Sequence, residues 1–329
     1  MLLFMKNKIL ITLKAFISVS LISLLCWIMR NKLSIMFNTV VNADRKFVIL
    51  GFFLIVGATY FLALRLKKII SVQNIRMSLK ESIFFTFMGY FFSNFPITSL
   101  GEDILKVSCM GKTHREKKGL FAGVFMDRIL YVISFIIIPV VIVVFFGHQI
   151  SNRLIVVLVY SAFLMGMAFI WILLHKNTTK YLMLILKPFR NRLWCKNLIN
   201  EFVFFNMYLS HKMILLWGLF LSAIVQILYI FAIYIFAKAL HVFDVRIGVF
   251  FLVVPIVFFV TLLPSLNGLG IREGALVYFL GPYISSEKAL AVSVLVLTSL
   301  VCTSIVGGFI YIFRKSLFSF KQKIPIATK

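Results

Sequence analysis

Apolar runs of about 20 residues recur along this chain. Nothing constrains its fold more, because a helix needs that length to cross a hydrocarbon core of roughly 30 Å. Uninterrupted runs occupy 9–28, 47–64, 119–146, 154–174, 213–236 and 288–313. Of 329 residues, 62% are apolar and only 14% charged, too few charges to coat the core that a water-soluble chain of this length would bury. The sequence predicts an all-α polytopic membrane protein, 1–329 forming a single transmembrane domain with six full transmembrane helices. The first run, in MLLFMKNKILITLKAFISVSLISLLCWI, is too long for the apolar part of a secretory signal, contains Lys14 and lacks a small-x-small cleavage site. It is expected to remain as a first helix, with Lys14 snorkelling at its end.

Two further apolar regions, 82–111 and 249–283, are broken by Pro and Gly. A re-entrant hairpin returning to its own side explains each break, and the basic residues favour that threading. Most of the 35 lysines and arginines then share the cytoplasmic side with both termini, as the positive-inside bias requires. A full crossing by 82–98 would instead put the dense run GKTHREKK outside. Because the cations lie at the ends of spans, the net charge of +25 points to the membrane surface and anionic headgroups, with no nucleic-acid partner.

The two broken regions resemble each other. FPITSLGEDILKVSCMG leads through HREKKGLFAGVF into a long span; LPSLNGLGIREGALVYFLG leads through ISSEKALAVSVL into another. Each has a proline, a Leu-Gly pair, charges just after it, an apolar arm and a long helix. An odd number of crossings separates them, so the units 82–146 and 249–313 are expected to be an inverted repeat of two oppositely oriented re-entrant helical hairpins, with a substrate site at their interface near the midplane.

Non-helical backbone at membrane depth is tolerated where it is buried in protein or lines a wet cavity. Pro96 ends the first arm, and Gly101 lets the chain turn into a half-helix opening with Glu102 and Asp103. Those acids either cap the half-helix or serve the site. Likewise Gly268 and Gly270 turn the second hairpin, and Arg272 with Glu273 opens the next half-helix. Half-helix N-termini favour anions, and a guanidinium beside them suits phosphate oxygens; the alternative is an internal Arg272–Glu273 pair. Asp127 and Arg128 lie about eight residues inside a span, where a charge costs about 2.5–3.5 kcal/mol at the centre. They need partners: Lys106 or Arg272 for Asp127, and Glu102, Asp103 or Glu273 for Arg128. A nearly balanced cluster is tolerable in a buried cavity where a lone charge is not.

The segment 175–212 mixes basic, aromatic and aliphatic residues around Pro188, which fits amphipathic helices lying on the cytoplasmic surface. Four scattered cysteines and five histidines make no zinc, disulfide or metal pattern, and no G-x-S-x-G or P-loop motif occurs. No cofactor or metal is expected.

The P-x-x-x-x-G-x-D-x-x-K pattern at Pro96, Gly101, Asp103 and Lys106, the Asp127–Arg128 pair, and LPSLNGLGIREGAL at 263–276 together resemble the lysylphosphatidylglycerol synthase transmembrane region, a flippase-like membrane family. The resemblance covers about 82–313. It implies an integral protein of the cytoplasmic membrane that moves a lipid or lipid-linked intermediate between leaflets, often in envelope or glycan biosynthesis. Relatives that aminoacylate lipid carry a C-terminal acyltransferase-like domain; with the chain stopping at Lys329, that synthase activity is not expected.

Three functions compete at this stage. The leading one is a flippase-like transporter for an anionic phospholipid or a polyprenyl-phosphate-linked glycan intermediate in cell-envelope biogenesis. The second is a membrane-embedded transferase using Asp103 or Asp44 as base, and the third a non-transporting scaffold for envelope biosynthesis enzymes.

Overall fold

A computed structural model describes residues 33–93, 101–114, 116–146, 207, 208, 210–261 and 268–313, with isolated positions between 157 and 166. The described residues are helical and contain no strand. Spans 9–28 and 154–174, Pro96, and most of the segment 175–212 lie outside that description.

The helices are α1 (Leu33–Val41), α2 (Arg45–Ser71), α3 (Leu79–Ser93), α4 (Gly101–His114), α5 (Lys117–Phe146), α6 (Lys212–Ala239), α7 (Ile247–Thr261), α8 (Ile271–Ile284) and α9 (Ser286–Ile312). Four of them, α2, α5, α6 and α9, are long and apolar enough to cross a membrane, at four of the six runs the sequence marks. Their outer faces expose large apolar side chains such as Phe53, Val144 and Trp217, as a lipid-facing surface would. The stretch between the runs 9–28 and 47–64 contains α1.

Local chemistry sets the helix ends. Asp44 starts α2 by accepting from the Lys46 N–H at 2.8 Å, and a tight turn with Asn74 in the left-handed region (φ 59°) stops it. Ser78 and Glu81 form a reciprocal capping box on α3, the Ser78 N–H donating to the Glu81 carboxylate at 2.7 Å and the Glu81 N–H to the Ser78 hydroxyl at 3.2 Å. Gly268 and Gly270, at φ 76° and 79°, make the turn that launches α8 in a conformation few other residues adopt.

Each Pro/Gly-interrupted region is a pair of short helices, α3 with α4 and α7 with α8. Two series follow one another along the chain, α2–α5 and α6–α9. Packing follows the same order: α3 lies on α9 as α7 lies on α5, α4 on α5 as α8 on α9, and α3 on α4 as α7 on α8.

At the centre α2 and α6 pack antiparallel. The Asp44 N–H donates to the Ala239 carbonyl at 2.9 Å at one end, Gly51 sits under the Phe236 ring, and Gly218 faces Ile69 at the other end. The largest core cluster gathers Ile55 of α2, Ile230, Ile233 and Phe236 of α6, Val253 of α7, Leu276 of α8 and Val292 of α9. It fixes the frame on which the polar residues sit.

Candidate functional site

Three arginine–carboxylate pairs lie inside this bundle among the described residues. In the first, Arg65 of α2 grips Asp127 of α5 with both ends of its guanidinium, Nε to Oδ1 at 2.7 Å and Nη2 to Oδ2 at 2.8 Å. Its Nη1 donates to the Ser222 hydroxyl of α6 at 2.8 Å, so one side chain joins three long helices. Arg65 is 2% exposed; its guanidinium lies 5.2 Å from the centre of the Tyr131 ring, a cation–π arrangement. The sequence offered Lys106 or Arg272 as the partner of Asp127, and Arg65 had been placed in the cytoplasmic segment beyond the span. Instead α2 continues to Ser71 and carries Arg65 on its inner face. The available signal was helical phase: Ala58, Arg65 and Ile69 recur at seven and four residues and are all buried.

In the second pair Arg128 of α5 donates to Asp103 of α4 at 2.5 Å, one of the three partners the sequence offered. This pair is the accessible one, with side chains 36% and 18% exposed. Gly101 opens α4, Glu102 follows it, and half-buried Lys106 lies one turn beyond Asp103.

The third pair is internal to α8. Arg272 donates to its neighbour Glu273 through Nε at 3.2 Å and Nη2 at 2.8 Å, while the other carboxylate oxygen of Glu273 accepts from the Gly270 N–H at 2.6 Å. Both side chains are buried. Glu273 thus caps the half-helix and neutralises the arginine at once. Asp103 and Glu273 hold the same third place in their helices.

Two tyrosines link the pairs. Tyr131, one turn along α5 from Asp127 and Arg128, is within electrostatic reach of Arg65, Arg128, Tyr90 and Tyr229; Tyr229 of α6 is in turn within reach of Arg272 and Glu273. Phe258 of α7 stacks on Phe135 with ring centres 3.7 Å apart and meets Tyr131 edge-on, closing the apolar side of this centre. Gln226, one turn past Ser222, is fully buried, with neither amide atom partnered among the described residues. Just before α6, the buried Tyr208 hydroxyl donates to the Ile69 carbonyl of α2 at 3.3 Å. Asp44, the other acid considered as a base, is the α2 cap.

Asp103, Asp127 and Glu273 are each paired with an arginine, Arg128, Arg65 and Arg272. A charge-balanced group at this depth avoids the cost of a lone buried ion. Over residues 10–307 the chain matches the family described as lysylphosphatidylglycerol synthase TM region. It belongs to that family. No curated protein and no solved structure matches it. As a member of the lysylphosphatidylglycerol synthase TM family with four helices long and apolar enough to span a bilayer, the chain is an integral membrane protein.

Proposed function

We propose that this protein moves a phosphate-bearing lipid, an anionic phospholipid or a polyprenyl-phosphate-linked glycan intermediate, between the leaflets of the cytoplasmic membrane. The observation that carries the reading is the contrast among the three pairs. Arg65 and the Arg272–Glu273 pair are sequestered at 2% and 9% exposed, whereas the Arg128 side chain is 36% exposed. Phosphate oxygens would compete with the Asp103 carboxylate for the Arg128 guanidinium, aided by the positive ends of α4 and α8, while the acyl or prenyl chains stay in lipid. Lys106, Arg272 and Glu273 complete the polar lining, and Gly101, Gly268 and Gly270 shape the turns at the half-helix starts.

The short-helix pairs act here as re-entrant hairpins facing opposite sides, with both termini cytoplasmic. The interchangeable packing pattern and the antiparallel α2–α6 contact support an inverted repeat. Such a repeat exposes a fixed central site to each side alternately as one half rocks against the other.

Reconstitution in liposomes with a tail-labelled anionic phospholipid tests the reading. Loss of one charge-assisted contact to phosphate slows leaflet equilibration about tenfold or more in Arg128→Gln. Unchanged rates in both Arg128→Gln and Asp103→Asn would remove the basis for this function.

A further inference from the structure

A second basic feature lies apart from the central pairs, at the C-terminal end of α2. A cavity of about 480 Å³ opens there, with Lys67, Lys68 and Arg76 in its walls and no acid among the described residues that line it. None of these three cations forms an ion pair with a described residue. The nearest acid in sequence, Glu81, is engaged in the α3 capping box.

A lysine in a last turn complements the helix dipole, which accounts for Lys68. It does not account for Arg76, which arrives from beyond the left-handed turn at Asn74 to face the same space. The floor is fixed: Ile75 and Met77 are buried, and Ile75 packs beside Gly119 of α5. Ser71 and Asn74 add polar groups at the rim. Three like charges around an empty cavity repel one another, and an anion converts that repulsion into attraction.

We infer that this cavity seats the phosphate headgroup of an anionic membrane lipid. Its position decides for a lipid over a soluble anion. It terminates a helix apolar and long enough to span, so it falls at the depth where headgroups lie, and basic pockets between spans bind such headgroups. The site stands whether or not the protein transports anything.

The test uses the purified full chain in mild detergent, with retention of phosphatidic acid against phosphatidylcholine followed by native mass spectrometry. The same measurement in an Arg128→Gln background keeps lipid at the central pairs from masking the result. The variant Lys67→Gln/Lys68→Gln/Arg76→Gln binds phosphatidic acid about a hundredfold more weakly, at roughly fivefold per cation. Replacing Arg45, Lys46 and Lys288 by Gln, a loss of equal charge elsewhere, changes retention less than about twofold. Equal retention by the cavity variant and the native chain overturns the site, as does an equal loss in the control. Displacement of the lipid by inorganic phosphate at matching concentration would reassign the cavity to a soluble anion and overturn the lipid assignment.

Discussion

Arg65 and Asp127, 62 positions apart, form a two-point ion pair at 2.7 and 2.8 Å, and Ser222 holds the remaining arm of the guanidinium. A buried pair of this kind stabilises little relative to well-packed apolar residues, but half of it is severely destabilising. Asp127→Asn or Arg65→Met alone should therefore cost about 3–5 kcal/mol of stability. The double variant Arg65→Met/Asp127→Leu should recover most of that loss. Thermal unfolding in detergent reads the difference. If leaflet exchange stays abolished in the refolded double variant, the pair serves transport as well as folding; a double variant no more stable than the singles would mean the two residues do not act as a unit.

Arg128 and Asp103 should behave in the opposite way. The Arg128 side chain is 36% exposed, and exposed pairs contribute about 0–1 kcal/mol. Arg128→Gln should leave the unfolding temperature nearly unchanged while lowering lipid exchange about tenfold. Arg128→Lys should restore only part of the rate, since an ammonium lacks the planar fork that meets two phosphate oxygens. A large stability loss in Arg128→Gln would show the pair to be structural.

Glu273 has two separable jobs. Glu273→Gln keeps an oxygen to accept from the Gly270 N–H but strips Arg272 of its counter-charge, at a cost of about 3–5 kcal/mol. Glu273→Ala loses the cap too, adding about 1 kcal/mol. Combining Glu273→Gln with Arg272→Met removes both charges and keeps the cap, so its stability should return close to that of the unmodified chain. Unfolding midpoints of the three variants, measured side by side, check that order.

Four of the long spans were legible in the sequence because each rests on a local signal, the length of its apolar run. The pairing of Arg128 was narrowed to three acids by the same logic, since a charge at depth must find an opposite one. Arg65 was not legible as a core residue. It stands two positions before Lys67–Lys68, so charge density suggested the end of the helix, and only the phase set by Ala58 and Ile69 marks it as inward-facing. Its partner depends on how α2 docks against α5 and α6, which no local period records. Arg272 likewise had two readings, and the short turn at Gly270 brings its own neighbour closer than Asp127.

Glycines on the packed faces make a final, graded prediction. A Cβ at Gly307 of α9 would sit 2.1 Å from the Phe87 carbonyl oxygen of α3, and backbone cannot rotate aside, so Gly307→Ala must push the two helices apart. At Gly51 of α2 the obstacle is the edge of the Phe236 ring, 2.4 Å away; a ring can shift, though Phe236 is fully buried and its neighbours must follow. Gly57 of the same helix has nothing within 4 Å. Overpacking in such sites costs about 1–3 kcal/mol, and replacing a mid-helix glycine by alanine gains about 0.5–1 kcal/mol. Gly307→Ala should be the most destabilising, Gly51→Ala intermediate, and Gly57→Ala neutral or mildly stabilising, as read by unfolding midpoint in detergent. Because Gly307 joins α9 to α3 and Gly51 joins α2 to α6, both contacts cross between the two four-helix series. A reversed order, with Gly57→Ala the worst, would mean that the two series do not meet along these faces.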